Sequence, residues 1–170
     1  FEDSLGTYLS AKYLIEQGHQ RFLYIGISTD LLNDVHRLVG YNKALKEAGL
    51  ANCDCLYVEE MPMTEQLLKE QWKVGKYDAV VCFNDIIAVR ALAYFNDHQV
   101  SVPDDVSLMG FDNRLVCDFT YPKLSSVEHS PKKMGDMAAS KLLEIIDNAA
   151  PEPMENIPKL VLRNTIKKRT

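Results

Sequence analysis

The chain has 170 residues, of which 46% are hydrophobic and 25% are charged, and its formal net charge is −5 at pH 7. This length predicts one compact domain or two small lobes, and this balance of residues excludes disordered, collagen-like and coiled-coil chains. The mildly acidic charge argues against a chain that grips nucleic acid by its own electrostatics, and no apolar run is long enough to predict a membrane span.

Short apolar runs alternate with stretches of helical period along the whole chain. Helices are predicted at 5–17, 33–48, 65–74, 85–98 and 134–146, and strands at 22–27, 54–59, 79–83, 106–111, 124–128 and 160–162. This alternation is typical of βαβ units, so the sequence predicts an α/β fold with a doubly wound parallel sheet. Thr64 and Asn84 are predicted to cap the helices that they precede, and the prolines within 149–158 predict a linker.

The four cysteines are too few for a disulfide framework in a chain of this length, so we interpret them as reduced thiols of a cytoplasmic protein. The Cys53-Asp54-Cys55 spacing is not that of a zinc site, and no phosphate-binding or dinucleotide-binding glycine motif follows a predicted strand. The sequence therefore predicts no metal and no cofactor. The chain begins at Phe1 and its first methionine is Met61, so we expect it to be a fragment of a longer protein.

Polar side chains follow the predicted strands at the same edge of the sheet. Asn84 and Asp112 come directly after strands, and Arg37 lies on the helix that follows the first strand. Ligands of open α/β sheets bind outside the carboxyl ends of the strands, so these three side chains are predicted to converge on one cleft. Carboxylate, carboxamide and guanidinium groups together suit a polyhydroxylated ligand. Each also has a simpler interpretation: a helix cap for Asn84, a turn for Asp112 and a solvated side chain for Arg37.

A specific series of short motifs runs along most of the chain. These motifs are Gly18-His19-Gln20-Arg21-Phe22, Arg37-Leu38-Val39-Gly40-Tyr41, Cys82-Phe83-Asn84-Asp85, Val102-Pro103-Asp104-Asp105, Gly110-Phe111-Asp112-Asn113 and Pro122-Lys123-Leu124. Together they resemble the sugar-sensing regulatory domain of LacI/GalR-type bacterial transcription regulators. The resemblance implies the type I periplasmic-binding-protein-like fold, in which two lobes close on a ligand.

The resemblance also implies roles for individual residues. It makes Arg37, Asn84 and Asp112 ligand contacts and places His129, on the strand that crosses between the lobes, at the same site. The stretch 129–135 resembles the arabinose-type repressors, in which the sensor follows a winged-helix DNA reader of the GntR kind. The implied ligand is therefore a sugar, arabinose or another pentose or hexose, and the implied second partner is operator DNA.

The match to the family divides the chain into parts. Residues 5–126 and 160–165 resemble the carboxy-terminal lobe, and residues 128–150 resemble the segment that crosses to the amino-terminal lobe. The DNA-binding head is expected to be absent from these 170 residues. The resemblance implies a cytoplasmic homodimer that acts as a repressor. The alternatives are a periplasmic sugar receptor for transport, with the same fold, and a sugar-phosphate enzyme.

A predicted subunit contact completes the sequence-based picture. The helix at 85–98 carries apolar residues almost all round, so part of its surface is expected to lie at a subunit interface. The family dimerises through this helix and the loop after Asp112. The predicted interface residues are Val89, Leu92, Leu115, Val116 and Phe119. Core burial is the competing explanation for Val89 and Leu92.

Overall fold

The computed structural model describes residues 3–28, 30–59, 63–128, 131–147 and 157–169, and strands alternate with helices along them. The strands are β1 (Phe22–Gly26), β2 (Asp54–Tyr57), β3 (Ala79–Cys82), β4 (Ser107–Phe111), β5 (Ser125–Glu128) and β6 (Lys159–Val161). The helices are α1 (Asp3–Glu16), α2 (Leu32–Glu47), α3 (Thr64–Gln71), α4 (Asp85–Asp97) and α5 (Pro131–Ile146), and a short 3-10 helix spans Leu115–Asp118. All eleven predicted elements are present, with ends shifted by up to three residues.

The strands form one six-stranded sheet in the order β2-β1-β3-β4-β5-β6. Neighbouring strands from β2 to β5 run parallel, and β6 pairs antiparallel with β5. The predicted α/β fold with a doubly wound parallel sheet is thus confirmed. The chain passes from β1 to β2 on one side of β1 and then crosses to β3 on its other side.

Helices cover both faces of this sheet, and β1 shows how its side chains are divided between them. Phe22 and Tyr24 pack with the apolar faces of α1 and α2, whereas Leu23 and Ile25 pack on the opposite face with α3 and α4. All four side chains are buried because a central strand has a helix layer above and below it. The hydrophobic clusters on the two faces of the sheet therefore hold β1 in place between β2 and β3.

The two predicted helix caps have different outcomes. Asn84 caps α4, because its side-chain oxygen accepts a hydrogen bond of 3.0 Å from the backbone N–H of Ile87. Thr64 does not cap α3: it is the first residue inside the helix, and Met63 precedes it without a capping side chain. Helix α3 also ends earlier than predicted, since Trp72 adopts an extended backbone and places its ring 4.7 Å from that of Phe95.

None of the helices within the described residues is long and apolar enough to cross a membrane.

Candidate ligand-binding site

The candidate site lies at the carboxyl ends of β1, β3 and β4, where the strand order reverses between β1 and β3. Parallel sheets of this topology bind ligands at that point, because the loops on its two sides diverge and leave a crevice. Helix α2 starts beside the end of β1 and contributes Arg37. Phe83 and Asn84 follow β3, and Asp112 follows β4. The predicted convergence of the strand ends is therefore present.

Arg37 is the centre of the site. Its side chain is only 6% exposed, so the interpretation as a solvated side chain is wrong. The Nη1 group donates to the backbone carbonyl of Phe83, and the guanidinium carbon lies 4.4 Å from the centre of the Phe83 ring and 3.7 Å from that of Phe111. A cation between two aromatic faces is stabilised by their quadrupoles. These contacts hold the guanidinium plane in one orientation.

Two carboxylates flank the Arg37 guanidinium. Asp112 Oδ1 lies 3.7 Å from Nη2, and Asp3 Oδ2 lies 3.6 Å from Nε. Arg114 also approaches Asp112, with its Nε 3.5 Å from Oδ2. The site therefore joins a forked cationic donor with anionic acceptors, which is the combination that hydroxyl groups of a ligand need in order to donate and accept at once.

The backbone after β4 is built to present Asp112. Asp112 and Asn113 have positive φ angles of 102° and 51°, which aspartate and asparagine tolerate better than most residues. Their backbone N–H groups donate to Val127 O at 2.9 Å and Ser126 Oγ at 3.1 Å. The chain therefore bends at Asp112, as the simpler interpretation expects, and these hydrogen bonds hold the backbone that carries the carboxylate.

Asp85 anchors this turn from inside the protein, a role that the sequence did not predict. Its carboxylate accepts from Ser126 Oγ and from the backbone N–H of Arg114, both at 2.6 Å. Burial raises the pKa of Asp85 above its ordinary value, although these hydrogen bonds act against the rise. The sequence signal was an acidic residue directly after a capping asparagine, but its partners lie 29 and 41 residues away.

Asp34 has the corresponding anchoring role at the end of β1. Its carboxylate accepts from the backbone N–H groups of Ile27 at 2.6 Å and Ser28 at 3.0 Å, and from the hydroxyl of Tyr24 at 2.5 Å. Burial and the nearby Asp34 carboxylate raise the pKa of Tyr24, which keeps that hydroxyl protonated as a donor. The loop between β1 and α2 is thereby tied to the helix that carries Arg37.

The geometry does not establish a ligand contact for the other two predicted residues, Asn84 and His129. Asn84 is buried beside Phe83 at the edge of the site, but its side-chain oxygen is engaged in capping α4. A ligand contact through Asn84 would use its amide nitrogen and stays a prediction. His129 lies outside the described residues, so its predicted role also stays a prediction.

The predicted interface residues differ in exposure. Leu115 and Phe119 are 72% and 77% exposed, and Val89 and Val116 are partly buried. Leu92 is 2% exposed within the core under α4, so the competing explanation of core burial accounts for it. Little of the Leu92 side chain is left to contact a partner.

A cavity of about 660 Å³ lies next to the site, between α2 and β2, and includes Ser28 in its wall. Neither Arg37 nor Asp112 lines it, so this cavity is distinct from the candidate site. Across the described parts of the chain, no three His, Cys, Asp or Glu side chains are grouped closely enough to hold a metal ion.

Comparison with known proteins agrees with this architecture. The family of periplasmic binding protein-like domains matches residues 11–166. The HTH-type transcriptional regulator GalR of Escherichia coli (strain K12) is 34% identical over 171 residues, which cover 97% of this chain and 50% of that protein. The HTH-type transcriptional repressor PurR of Vibrio atlanticus (strain LGP32) is 29% identical, with coverage of 95% and 50%. The chain spans about half the length of these relatives.

Solved structures show the same similarity in three dimensions. A sugar-binding transcriptional regulator of the LacI family from Escherichia coli, in complex with phosphate, superimposes with a TM-score of 0.85 at 26% identity, covering 98% of this chain and 62% of that one. The Escherichia coli transcriptional repressor AscG gives a TM-score of 0.85 at 26% identity, with coverage of 97% and 62%.

Proposed function

The chain belongs to the family of periplasmic binding protein-like domains, as LacI/GalR-type regulators do, and from this premise we propose that it is the effector-binding part of a cytoplasmic transcription repressor whose effector is a sugar. The observation that carries the proposal is the orientation of Arg37 between Phe83 and Phe111, with Asp112 3.7 Å away. The relatives and similar structures named above are transcription regulators or repressors, which favours this reading over a transport receptor or an enzyme.

The geometry favours a hydroxylated ligand. A separation of 3.7 Å between Arg37 Nη2 and Asp112 Oδ1 is longer than a charge-assisted hydrogen bond of about 2.8 Å. A hydroxyl group placed beside the pair accepts a hydrogen bond from Arg37 and donates one to Asp112. Neighbouring hydroxyls of a sugar ring offer this pattern repeatedly, whereas an apolar ligand would leave both charged groups without new partners.

We assign residues 5–126 and 160–165 to the carboxy-terminal lobe, and α5 to the segment that crosses to the other lobe. The support is that α5 exposes four large apolar side chains at its carboxyl end: Leu142, Leu143, Ile145 and Ile146. Exposed side chains of this kind call for a covering surface, which the other lobe would supply. Sugar binding between the lobes would favour the closed state and thereby change the spacing of two DNA-reading heads in a dimer.

The proposal contains no catalytic step, so a bound sugar should dissociate from the protein without chemical modification. Operator DNA and a homodimer are part of the proposal, with the exposed Leu115 and Phe119 and the partly buried Val89 and Val116 at the subunit contact. The arabinose type of repressor, with its GntR-like head, stays a prediction.

The decisive experiment is isothermal titration calorimetry of the intact protein against pentoses, hexoses and their phosphates, with nucleobases as a second ligand class. One sugar should bind, and Arg37→Lys and Asp112→Asn should each weaken it by at least tenfold, because a hydrogen bond to a charged group contributes about 1.5–3 kcal/mol. Arg90→Lys is the matched control, since Arg90 lies on α4 and pairs with Glu65 away from the site.

Circular dichroism should show that all three variants remain folded. Unchanged sugar affinity in both Arg37→Lys and Asp112→Asn would remove these residues from the site. Binding of a nucleobase but of no sugar would leave the assignment as a regulator intact and refute the sugar as its effector. Turnover of a bound sugar phosphate would refute the assignment as a regulator and indicate an enzyme.

A further inference from the structure

Arg163 lies two residues after β6 and joins three parts of the protein. Its Nε donates to Asp118 Oδ1 at 2.8 Å, its Nη1 to the backbone carbonyl of Leu124 at 2.8 Å, and its Nη2 to Asn113 Oδ1 at 2.9 Å. Its backbone N–H donates to Ser125 Oγ, at the start of β5, at 2.9 Å. The side chain is only 13% exposed, so these bonds hold the guanidinium in one orientation.

One of these bonds reaches the bend that carries Asp112. Asn113 follows Asp112 directly, and both residues have positive φ angles. Residues with a side chain seldom adopt this conformation, so tertiary contacts have to maintain it. Val127 O and Ser126 Oγ accept hydrogen bonds from the two backbone N–H groups, and Arg163 Nη2 holds the Asn113 side chain. The bend is therefore fixed through its backbone and through a side chain.

The place of Arg163 in the chain connects this bend to the strands that lead to the other lobe. Strands β5 and β6 pair antiparallel, and along the chain they stand before and after the segment that we assign to the crossing between the lobes. The backbone bond from Arg163 to Ser125 joins the ends of these two strands, and the side chain extends from there to Asn113. A single side chain thus links both crossing strands to the residue next to Asp112.

We propose that Arg163 is a positioning residue for the effector, which holds the Asp112 carboxylate in its binding orientation through Asn113. The inference rests on the proposed function, in which Asp112 contacts the sugar. Arg163 itself does not touch the ligand. Lysine cannot take its place, because one ammonium group on a flexible stem does not reproduce three guanidinium nitrogens bonded to three separate acceptors.

The contacts of Arg163 also provide an internal control. The bond to Asp118 leads to the 3-10 helix at Leu115–Asp118 and not to the bend at Asp112. Asp118→Ala therefore removes one bond of Arg163 but keeps the bond to Asn113. Asn113→Gly does the reverse: it removes the acceptor of Nη2, and glycine still allows a positive φ at this position.

The first measurement is amide hydrogen exchange of the intact protein by mass spectrometry, which needs no ligand. In Arg163→Lys and in Asn113→Gly, the peptide that contains residues 112 and 113 should exchange about tenfold faster than in the wild type, because the bend opens locally. In Asp118→Ala the rate should stay within about twofold. A uniform acceleration over the whole sheet in Arg163→Lys would indicate a loss of global stability alone and would overturn the proposal.

The second measurement is calorimetry with arabinose, ribose, glucose and galactose, of which the tightest ligand of the wild type is used for every variant. Arg163→Lys and Asn113→Gly should each weaken binding about tenfold. The double variant should be at most about twofold weaker than either single variant, because both changes remove the same bond. In an Asp112→Asn background, Arg163→Lys should weaken binding by no more than about twofold, since the carboxylate that it positions is gone.

Circular dichroism checks that every variant is folded, and a folded variant with a purely structural defect should bind the sugar as the wild type does. The proposal is overturned if Arg163→Lys leaves the sugar affinity unchanged, or if its tenfold loss persists in the Asp112→Asn background. If the wild type binds none of the four sugars, the proposed sugar effector is overturned, and the exchange rates then decide separately whether Arg163 holds the bend.

Discussion

Gly110 offers the sharpest test of how the candidate site is built, because it lies in β4 against the Asp85 carboxylate that anchors the backbone after Asp112. A Cβ atom at position 110 would overlap Asp85 Oδ1 and lie 3.2 Å from Leu124 Cδ2. Asp85 cannot retreat without stretching its 2.6 Å hydrogen bonds to Ser126 and to the backbone of Arg114. Gly110→Ala should therefore both strain the core and displace the turn.

The expected cost follows from these two effects. Inserting a methyl group into a packed interior costs about 1–3 kcal/mol, and weakening a hydrogen bond to a buried charged group costs about 1.5–3 kcal/mol. We expect Gly110→Ala to lower the free energy of unfolding by about 3 kcal/mol. For a chain of this length that corresponds to a fall in Tm of about 6–12 °C. Urea and thermal denaturation followed by circular dichroism measure both quantities.

Gly135→Ala is the matched control, since Gly135 lies in α5 and a Cβ there meets nothing within 4 Å. This change should be neutral or stabilising by up to about 1 kcal/mol, because alanine favours a helix interior over glycine. If the two alanine variants have the same stability within about 0.5 kcal/mol, the role given to Asp85 is refuted, since surface substitutions of no consequence fall in that range.

The other predictions concern the helix cap, the core, the subunit contact and pH. Asn84→Ala should lower stability by about 1 kcal/mol in urea titrations, whereas Asn84→Asp keeps a capping oxygen; equal losses would contradict the cap. Leu92→Ala should cost about 2–5 kcal/mol, whereas Phe119→Ser should leave stability nearly unchanged and raise the dimer dissociation constant in sedimentation; an unaltered dimer removes Phe119 from the contact. Burial raises the pKa of Asp78, but the contact with His19 Nδ1, 3.4 Å from Oδ1, and hydrogen bonds from the backbone N–H groups of residues 20 and 21 outweigh it and leave the pKa below its ordinary value. Asp78 should therefore stabilise the fold above pH 4, where it is ionised in both states, and this contribution should disappear as the pH falls through its folded pKa. Asp78→Asn should reduce the loss of unfolding free energy on acidification below pH 4. An unchanged loss of stability would show that other groups cause it.

Periodicity predicted the strands and helices because those patterns are local. The convergence of Arg37 and Asp112 was also predictable, since parallel strands end at the same edge and side chains that follow them must meet there. The early end of α3 could not be predicted from the sequence, because Trp72 lies outside the helix and packs on Phe95, more than twenty residues further along the chain. Tertiary packing decides such boundaries, and no local signal records it.

The groups that position the site were harder to predict than the groups that form it. Asp85 acts through Ser126 and Arg114, and Asp3 acts through Arg37, so each depends on a partner that only the folded sheet brings close. The cysteines show the same limit: all four were interpreted alike as reduced thiols. Only the folded surroundings of the thiols show that the pKa of Cys55 is lowered, whereas the pKa values of the other three cysteines are raised.

Arg37 itself shows why burial alone does not decide between a structural and a ligand-binding arginine. A guanidinium that serves stability alone is expected to have its donors satisfied at hydrogen-bonding distance, because an unmade bond in the interior costs about 1–3 kcal/mol. Arg37 Nε is buried and makes no hydrogen bond within the described residues, and its flanking carboxylates lie at 3.6 and 3.7 Å. Such incomplete pairing in an otherwise well-packed protein calls for an explanation. The proposed function accounts for the Nη2 end of this pattern, because a ligand hydroxyl beside Arg37 Nη2 and Asp112 Oδ1 would hydrogen-bond to both groups across their 3.7 Å separation.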